Sequence, residues 1–348
     1  FVLSLLLYPF LLMAAKQDEG LYFTSMKMKD GLPGSTIMAI EQDEHGFIWI
    51  GTNEGLCRFD GTQFKVYRHE PTNTNSLTDN FIQNLHFDLN GNLWIMTSNG
   101  LNVYDLEKHK FIRYKSDGKE GELADNSPTD IAESADSTIY ISSFYSGISY
   151  KKPNEKLFKY INSSTHNLKS DQINCLELIA DTLLVIGTRD SGIEFYMLGK
   201  DIVQKELQIQ LPSYNVNTIC NDHNLGLWIG TDTGLSYYDL TNTNLINFEF
   251  DEKEKTFLTD NDIIALHLDN QGNLWIGTQN SGLVIVNQID LFNDGKNAKF
   301  SHYYPMPIEE VFRIERYLPC SATKTTKYGL EHMVVESTML KIKEIALV

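Results

Sequence analysis

The residues best suited to bind a ligand lie in short turns, either after an aromatic-led strand or before the next group of strands. They are amides, carboxylates, aromatic rings and one arginine: Asn53, Glu54, Asn99, Phe144, Tyr145, Arg189, Asp190, Tyr214, Asp232, Gln279 and Asn280. Amides and carboxylates form paired hydrogen bonds with hydroxyl groups, and aromatic rings stack on flat apolar faces. This combination favours a polyhydroxylated ligand such as a sugar. Because Asn, Asp and Ser also form turns readily, a purely conformational role stays open for each position.

These turns recur because the chain contains six copies of a unit a little over forty residues long. The first copy reads Trp-Ile-Gly-Thr-Asn-Glu-Gly-Leu over residues 49–56, and the equivalent anchor positions of the six copies are Trp49, Trp94, Tyr140, Val185, Trp228 and Trp275. A period of this length, built of short alternating runs and turn residues, is typical of a radial all-β array. The sequence therefore predicts an all-β fold, a β-propeller of four-stranded antiparallel blades.

Each copy contains four short strands, of which residues 81–114 are the clearest example. Since one sheet cannot bury both of its faces alone, the blades must stack, and we expect the recurrent aromatic residues to pack between them. A turn aspartate between the first and second strands recurs as Asp43, Asp88, Asp136, Asp181, Asp222 and Asp269. The turn at Asp88 lacks the acidic residue that closes a calcium loop. Neither metal nor cofactor is expected.

Composition excludes one class of partner. The formal net charge is −17, and only four arginines precede residue 305, so there is no basic stripe for nucleic acid. The four cysteines form neither a CxxC pair nor a disulfide framework, and Cys175 and Cys220 lie in apolar strands where buried free thiols are expected.

The first residues favour export. Residues 1–15 are apolar and end in Met-Ala-Ala before a charged segment, as in the apolar region and cleavage end of a signal peptide. We interpret them as a partial signal peptide. The alternative is a buried apolar strand, which Pro9 and the lack of alternation disfavour.

Residues 30–67 strongly resemble the two-component-regulator propeller repeat. The resemblance rests on Asp-Gly-Leu-Pro at 30–33, on Gly-Phe-Ile-Trp-Ile-Gly-Thr-Asn-Glu-Gly-Leu at 46–56 and on Phe-Asp-Gly at 59–61. It extends over roughly residues 21–304, although Tyr140 and Val185 replace tryptophan in the third and fourth copies.

The resemblance implies a function. Such repeats form the periplasmic sensor of hybrid two-component systems in gut bacteria, which sense oligosaccharides through a propeller and signal to a histidine kinase module. This chain is then expected to be a fragment of a sensor and not itself an enzyme, with an oligosaccharide as ligand. The full-length receptor is expected to form a homodimer and to reach the inner membrane only through segments C-terminal to this region.

We expect three regions: the partial signal peptide (1–15), the propeller (20–304) and a tail (305–348). Residues 21–24 are the candidate strand that closes the ring. The tail lacks the repeat pattern, yet a reading frame that joins the last base of each codon to the first two of the next permits Ile-Trp-Ile-Gly-Thr from residue 327 onward. The tail is therefore interpreted as a frameshifted, disrupted seventh blade.

Two other functions stay open. A propeller-fold carbohydrate-active enzyme, a glycosidase or a lyase, could use two acidic residues such as Glu54 and Asp232, although the scattered arginines argue against sialidase chemistry. A protein-interaction scaffold is the other, because repeat arrays also present extended binding surfaces.

Overall fold

The computed structural model describes residues 26–204, 209–248, 258, 260–294, 298 and 300–303. Within them, six four-stranded antiparallel sheets form a six-blade β-propeller. The predicted all-β propeller is thus confirmed. In each blade the four strands follow one another along the chain, from the innermost strand to the outermost.

The first three blades contain twelve strands. Blade one consists of β1 (Ile37–Gln42), β2 (Ile48–Thr52), β3 (Gly55–Phe59) and β4 (Phe64–Tyr67). Blade two consists of β5 (Ile82–Phe87), β6 (Leu93–Thr97), β7 (Gly100–Asp105) and β8 (Lys110–Tyr114). Blade three consists of β9 (Pro128–Glu133), β10 (Ile139–Ser143), β11 (Ile148–Lys151) and β12 (Lys159–Ile161).

The last three blades repeat this order. Blade four consists of β13 (Ile173–Ile179), β14 (Leu183–Thr188), β15 (Ile193–Met197) and β16 (Ile202–Val203). Blade five consists of β17 (Val216–Asp222), β18 (Gly226–Thr231), β19 (Gly234–Asp239) and β20 (Leu245–Phe248). Blade six consists of β21 (Ile263–Leu268), β22 (Asn273–Thr278), β23 (Gly282–Asn287) and β24 (Phe300–Tyr303).

Helix is scarce among the described residues. A 3₁₀ turn precedes blade one at Met28–Asp30, α1 (Ser163–His166) follows β12, and α2 (Gln288–Asp294) connects β23 to β24. Three predicted features lie outside the described residues: the signal peptide, the closing strand at 21–24 and the tail at 305–348.

The apolar cores lie between neighbouring blades, as the recurrent aromatic residues predicted. Trp49 is fully buried between blades one and two, against Leu85 and Tyr104 of blade two. Trp94 packs between blades two and three, and Trp228 between blades five and six. Trp275 differs, because it is only partly buried: its side of β22 faces away from blade five.

The turn between the first and second strands contains an aspartate that also binds the indole. In blade one, Asp43 Oδ1 accepts two backbone N–H groups of the turn, and Asp43 Oδ2 accepts the Nε1–H of Trp49 at 2.9 Å. The same bond, at the same length, occurs from Trp94 to Asp88 and from Trp275 to Asp269. The sequence predicted that this aspartate shapes the turn, but it did not predict the bond to the indole. That bond provides an acceptor for an indole N–H that would otherwise be buried without one.

Two of the six predicted turn aspartates lie in their turns, but two residues beyond the position of Asp43. The strand register places Ser134 and Ile179, not Asp136 and Asp181, at the position of Asp43. Blades three and four are also the two blades without tryptophan in the second strand. No indole donor there requires a carboxylate, so the position is free to vary.

Blade five departs from the pattern because α2 covers it. The Phe292 ring stacks on Trp228 with ring centroids 5.7 Å apart, and Trp228 Nε1–H donates to Gln288 Oε1 at 3.4 Å. Asp222 Oδ2 therefore accepts the Tyr237 hydroxyl instead, at 3.0 Å. The sequence did not predict this helix, because the seven residues of α2 are too few to show a helical period.

Candidate functional site

One end of the propeller carries both the turns between second and third strands and the lead-in turns before each first strand. We term this end the top face. In every blade a Thr or Ser hydroxyl closes the second-to-third turn by donating to a glycine carbonyl, at 2.8–3.0 Å: Thr52 to Gly55, Thr97 to Gly100, Ser143 to Gly147, Thr188 to Gly192, Thr231 to Gly234 and Thr278 to Gly282. The same hydrogen bond thus fixes the backbone of all six turns, whose tips carry different side chains.

The same glycines join neighbouring blades. The Gly100 N–H donates to the Asn126 carbonyl in the lead-in turn of blade three at 2.7 Å. The equivalent bonds, both 2.9 Å, run from Gly147 to Asp171 and from Gly192 to Tyr214. Glycine is required at Gly147, because its φ is +79° and a Cβ there would lie 2.5 Å from the Ile161 carbonyl oxygen. In blades two, three and four, each second-to-third turn is thus bound to the lead-in turn of the next blade.

Four of the predicted ligand-binding residues lie together over blades three to five. This group, which we term the aromatic sector, comprises Phe144, Tyr145, Arg189 and Tyr214. The Arg189 guanidinium carbon lies 4.6 Å from the Phe144 ring centroid, and the Tyr145 ring meets Phe144 edge-on with centroids 4.6 Å apart. Tyr214 adjoins Gly192, in the turn that carries Arg189. Tyr145 and Tyr214 are 65% and 63% exposed, so both rings are accessible to a ligand.

Three other predicted site residues are engaged by their own loops. Asn53 Oδ1 accepts the Thr36 N–H at 3.3 Å. Asp232 Oδ2 accepts the Asn215 amide at 3.2 Å, and the Asn280 amide donates to Asp260 Oδ2 at 3.1 Å. In Asn53, Asp232 and Asn280 the conformational role is therefore visible, and their polar groups are less available to a ligand.

The remaining predicted residues lie apart from the aromatic sector or at its margin. Glu54 and Asn99 are exposed on blades one and two, and Gln279 is partly exposed on blade six. Asp190 is exposed beside Arg189, and its Oδ1 accepts the Ser191 hydroxyl at 3.1 Å. The predicted set thus covers the whole top face, and only part of it forms a contiguous group.

One positioning residue of the sector was not predicted. Asp125, in the lead-in turn of blade three, accepts the Tyr145 N–H through Oδ2 at 3.2 Å and the Ser127 N–H through Oδ1 at 2.6 Å. It therefore orients the turn that carries Phe144 and Tyr145. The signal was present in the sequence, because Asp79 and Asp260 recur at the same place in other lead-in turns.

A buried carboxyl group lies beneath blade four of the top face. Glu194 is buried, its Oε1 accepts the Lys169 N–H at 2.7 Å, and its Oε2 has no hydrogen-bond partner among the described residues. Burial raises the pKa of Glu194, and the Lys169 N–H and charge oppose that rise. The protonated form is stabilised because it places no unpaired charge inside the blade.

The thiols and possible metal ligands provide no reactive centre in the described part of the chain. Cys57, Cys175 and Cys220 are free and buried, as expected for Cys175 and Cys220. Burial raises the pKa of the Cys57 thiol to about 12, which disfavours the reactive thiolate. No group of three or more His, Cys, Asp or Glu residues there has the arrangement of a metal site.

Comparison with known families agrees with the repeat pattern. Residues 31–54 and 258–280 match the family described as "Two component regulator propeller". These two segments are two-component regulator propeller repeats. Both matched segments run from a lead-in turn into the Trp-Ile-Gly-Thr strand, and the first contains most of the residues on which the resemblance was based.

Two further comparisons concern a short segment of a histidine kinase and, at 24% identity, the fold of an extracellular domain. Over 78 residues the chain is 41% identical to histidine kinase P4 of Formosa agariphila, an alignment that covers 22% of this chain and 6% of that kinase. The crystal structure of the extracellular domain of a putative hybrid two-component system from B. thetaiotaomicron superposes with a TM-score of 0.71, at 24% identity, over 85% of this chain and 38% of that one. The chain thus spans a small part of the first protein and less than half of the second.

A third comparison concerns an enzyme of the same fold. A catalytically inactive virginiamycin B lyase from Staphylococcus aureus superposes with a TM-score of 0.61, at 14% identity, over 84% of this chain and 91% of that one. At this identity the likeness concerns the fold alone. As for membrane insertion, the helices among the described residues are all too short or too polar to cross a bilayer.

Proposed function

We propose that this chain is the ligand-binding propeller of a hybrid two-component sensor, and that its aromatic sector binds an oligosaccharide in the periplasm. The repeats and the similarity to a histidine kinase and to an extracellular sensor domain support the sensor role. Signal transfer belongs to a kinase module outside this region, in a receptor that we expect to be dimeric and anchored in the inner membrane.

The observation that carries this proposal is the tyrosine at position 214. At the same place in three other lead-in turns, a short polar side chain accepts a backbone N–H from the segment that leaves the preceding blade, at 2.7–2.8 Å: Asn80 from His69, Asn126 from Ser116 and Asp171 from Ser163. Tyr214 is too long for this role, and its ring lies in solvent. The tyrosine therefore does not take the capping role of its counterparts, and its exposed ring is available for a ligand to contact.

The chemistry of the aromatic sector suits a sugar. Aromatic rings at a binding surface lose little side-chain entropy and stack on the apolar faces of pyranose rings, while their hydroxyl groups form hydrogen bonds. Tyr145 and Tyr214 present two such rings. Asp190 lies at the margin of the sector, beside Arg189, where its exposed carboxylate can accept a hydrogen bond from a hydroxyl group.

Titration calorimetry on the purified chain with a panel of oligosaccharides tests this proposal. We expect saturable binding that weakens at least about tenfold in Tyr145→Ala and Tyr214→Ala, since each ring loses its stacking contact. Leu89→Ala and Leu225→Ala remove exposed apolar side chains from the opposite end of the propeller and should leave the affinity unchanged. If the tyrosine variants bind as the unaltered chain does, the aromatic sector is not the site.

The same samples separate the other two functions. Product analysis by mass spectrometry should find the oligosaccharide intact after prolonged incubation with the chain. Shortened or unsaturated products would instead favour a propeller enzyme. Binding of a protein in place of any saccharide, with the same loss in the tyrosine variants, would favour an interaction scaffold.

A further inference from the structure

Arg189 differs from the other arginines of the described residues. The Arg113 guanidinium is enclosed by the loop at 73–77, to which it donates four hydrogen bonds of 2.6–2.9 Å. Arg68 donates to the Glu54 carbonyl oxygen, and Arg58 lies over the rings of Phe47 and Trp49 in the interior. Each of these cations has a structural role inside the propeller or at its edge.

The Arg189 guanidinium is exposed and, within the described ranges, forms neither an ion pair nor a hydrogen bond. The guanidinium lies over the Phe144 ring. A ring covers a face of the guanidinium plane and leaves the in-plane N–H donors directed outward. The stack thus holds the cation in place without using its hydrogen-bonding capacity.

The carboxylates nearby bind groups other than Arg189. Asp171 accepts the Ser163 N–H and hydroxyl, Asp125 accepts two backbone N–H groups, and Asp190 accepts the Ser191 hydroxyl. A chain of net charge −17 offers many potential partners for a cation, yet none of the described ones binds this arginine. The planar fork of Arg189 is therefore available to an external oxyanion.

We propose that the ligand of the aromatic sector is an acidic oligosaccharide, whose carboxylate or sulfate group binds the Arg189 guanidinium in a bidentate manner. This inference rests on the proposed function, because Tyr145 and Tyr214 hold the sugar rings on either side. Arginine forms paired hydrogen bonds with carboxylates and sulfates, which have the two oxygens that the fork requires. A neutral saccharide of the same length leaves the guanidinium without an anionic partner.

The test is calorimetry with three classes of oligosaccharide of equal length: neutral, uronate-containing and sulfated. We expect an acidic class to bind roughly tenfold or more tightly than the neutral class, and the preferred acidic class identifies the anion. Arg189→Gln should weaken binding of the acidic class about 10–100-fold and abolish the preference. Arg68→Gln removes another exposed arginine near the top face and should change neither.

Arg189→Lys distinguishes the bidentate contact from charge alone. Lysine keeps the charge but not the planar fork, so we expect it to recover only a minor part of the lost affinity. Full recovery by lysine would contradict the bidentate contact. Equal binding of neutral and acidic classes, unaffected by Arg189→Gln but weakened by Tyr214→Ala, would overturn the inference and leave the proposed function intact. If none of the three classes binds, both are wrong.

Discussion

The side-chain amide of Asn174 donates to the Val216 carbonyl oxygen at 2.9 Å and so joins the first strands of blades four and five. Asn174 is the extra residue of a β-bulge, and a bulge occurs near the start of the first strand in every blade. In the same way the Thr129 side chain donates to the Ile173 carbonyl oxygen and the Asn217 side chain to the Ile263 carbonyl oxygen. The Gln83 amide, when oriented to donate, binds the Pro128 carbonyl oxygen. The bulge directs a side chain onto the residue that opens the next blade.

We expect Asn174→Ala to lower the free energy of unfolding by about 1–3 kcal/mol, because it leaves the buried Val216 carbonyl without this donor. The matched control is Asn154→Ala, which removes the same side chain from an exposed turn and should stay within about 0.5 kcal/mol of the unaltered chain. Urea unfolding followed by tryptophan fluorescence provides the measurement. Equal stabilities of the two variants would show that the joint contributes nothing.

A second joint lies within blades two, three and four. The Ser149 hydroxyl accepts the Ala124 N–H at 2.9 Å, so the third strand binds the lead-in turn of its own blade. The equivalent pairs are Asn102 with Thr78 and Glu194 with Lys169. In blades one and five the donor position is proline, and the third-strand residues there are Cys57 and Ser236. Ser236 donates to Asn247 instead, which is consistent with a proline that has no N–H.

This coupling predicts the outcome of a double-mutant cycle. Ser149→Ala alone should destabilise the chain by about 1–2 kcal/mol, because the Ala124 N–H loses its acceptor. Ala124→Pro in the Ser149→Ala background removes that donor, and Pro33 and Pro212 occupy the equivalent position without disrupting the fold. The cost of Ser149→Ala should therefore be smaller when residue 124 is proline. Purely additive effects in urea unfolding would exclude the coupling.

The carboxyl group of Asp130 makes stability depend on pH. Part of the residue is exposed, but its carboxylate accepts the Leu176 N–H and the Ile131 N–H at 2.9 Å and the Asn84 amide at 3.0 Å. Burial raises the pKa of Asp130 to about 6, although these hydrogen bonds and the charge of His86 oppose the rise. An unfolded aspartate has a pKa of about 3.9. The stabilising contribution is therefore complete below about pH 4 and is lost as the pH rises through about 6.

We expect Asp130→Asn to remove this dependence. Relative to the variant, the unaltered chain should lose about 1–3 kcal/mol of unfolding free energy between pH 4 and pH 7. Asp239→Asn is the control of opposite sign: hydrogen bonds from Asn242 and Thr241 lower the pKa of Asp239, so its contribution is lost as the pH falls instead. Urea unfolding at four pH values measures both. A pH-independent difference between Asp130→Asn and the unaltered chain would contradict the assignment.

The fold could be predicted because each blade repeats the same local rule. Turn residues and the Trp-Ile-Gly-Thr strand recur at one spacing, and a sheet that cannot bury itself must stack on the next. The helix α2 could not be predicted, because Phe292 and Gln288 act on Trp228, sixty or more residues away, through tertiary packing. Nor could the position of Asp136 be predicted, since the turns of blades one and three have the same length and the aspartate lies two residues further along in blade three.

The sequence could predict which face of the propeller carries the candidate site, but not which residues of that face contact one another. Tyr214 and Tyr145 were identified by type alone, and their exposure agrees with the prediction of ligand contact without testing it. The sequence cannot separate Asn53 or Asp232 from them, because a polar turn residue that binds its own loop and one that is available to a ligand can have the same residue type and spacing. Only the hydrogen bonds of the folded loops distinguish the two.

The most direct measurement is the affinity of Tyr214→Asn for an oligosaccharide that binds the unaltered chain. Asparagine occupies this position at Asn80 and Asn126, so we expect the variant to fold with an unchanged unfolding midpoint. Calorimetry should find binding at least about tenfold weaker, because the exposed ring is gone. An unchanged affinity in a folded Tyr214→Asn chain would contradict the proposal that the aromatic sector is the sensor's binding site.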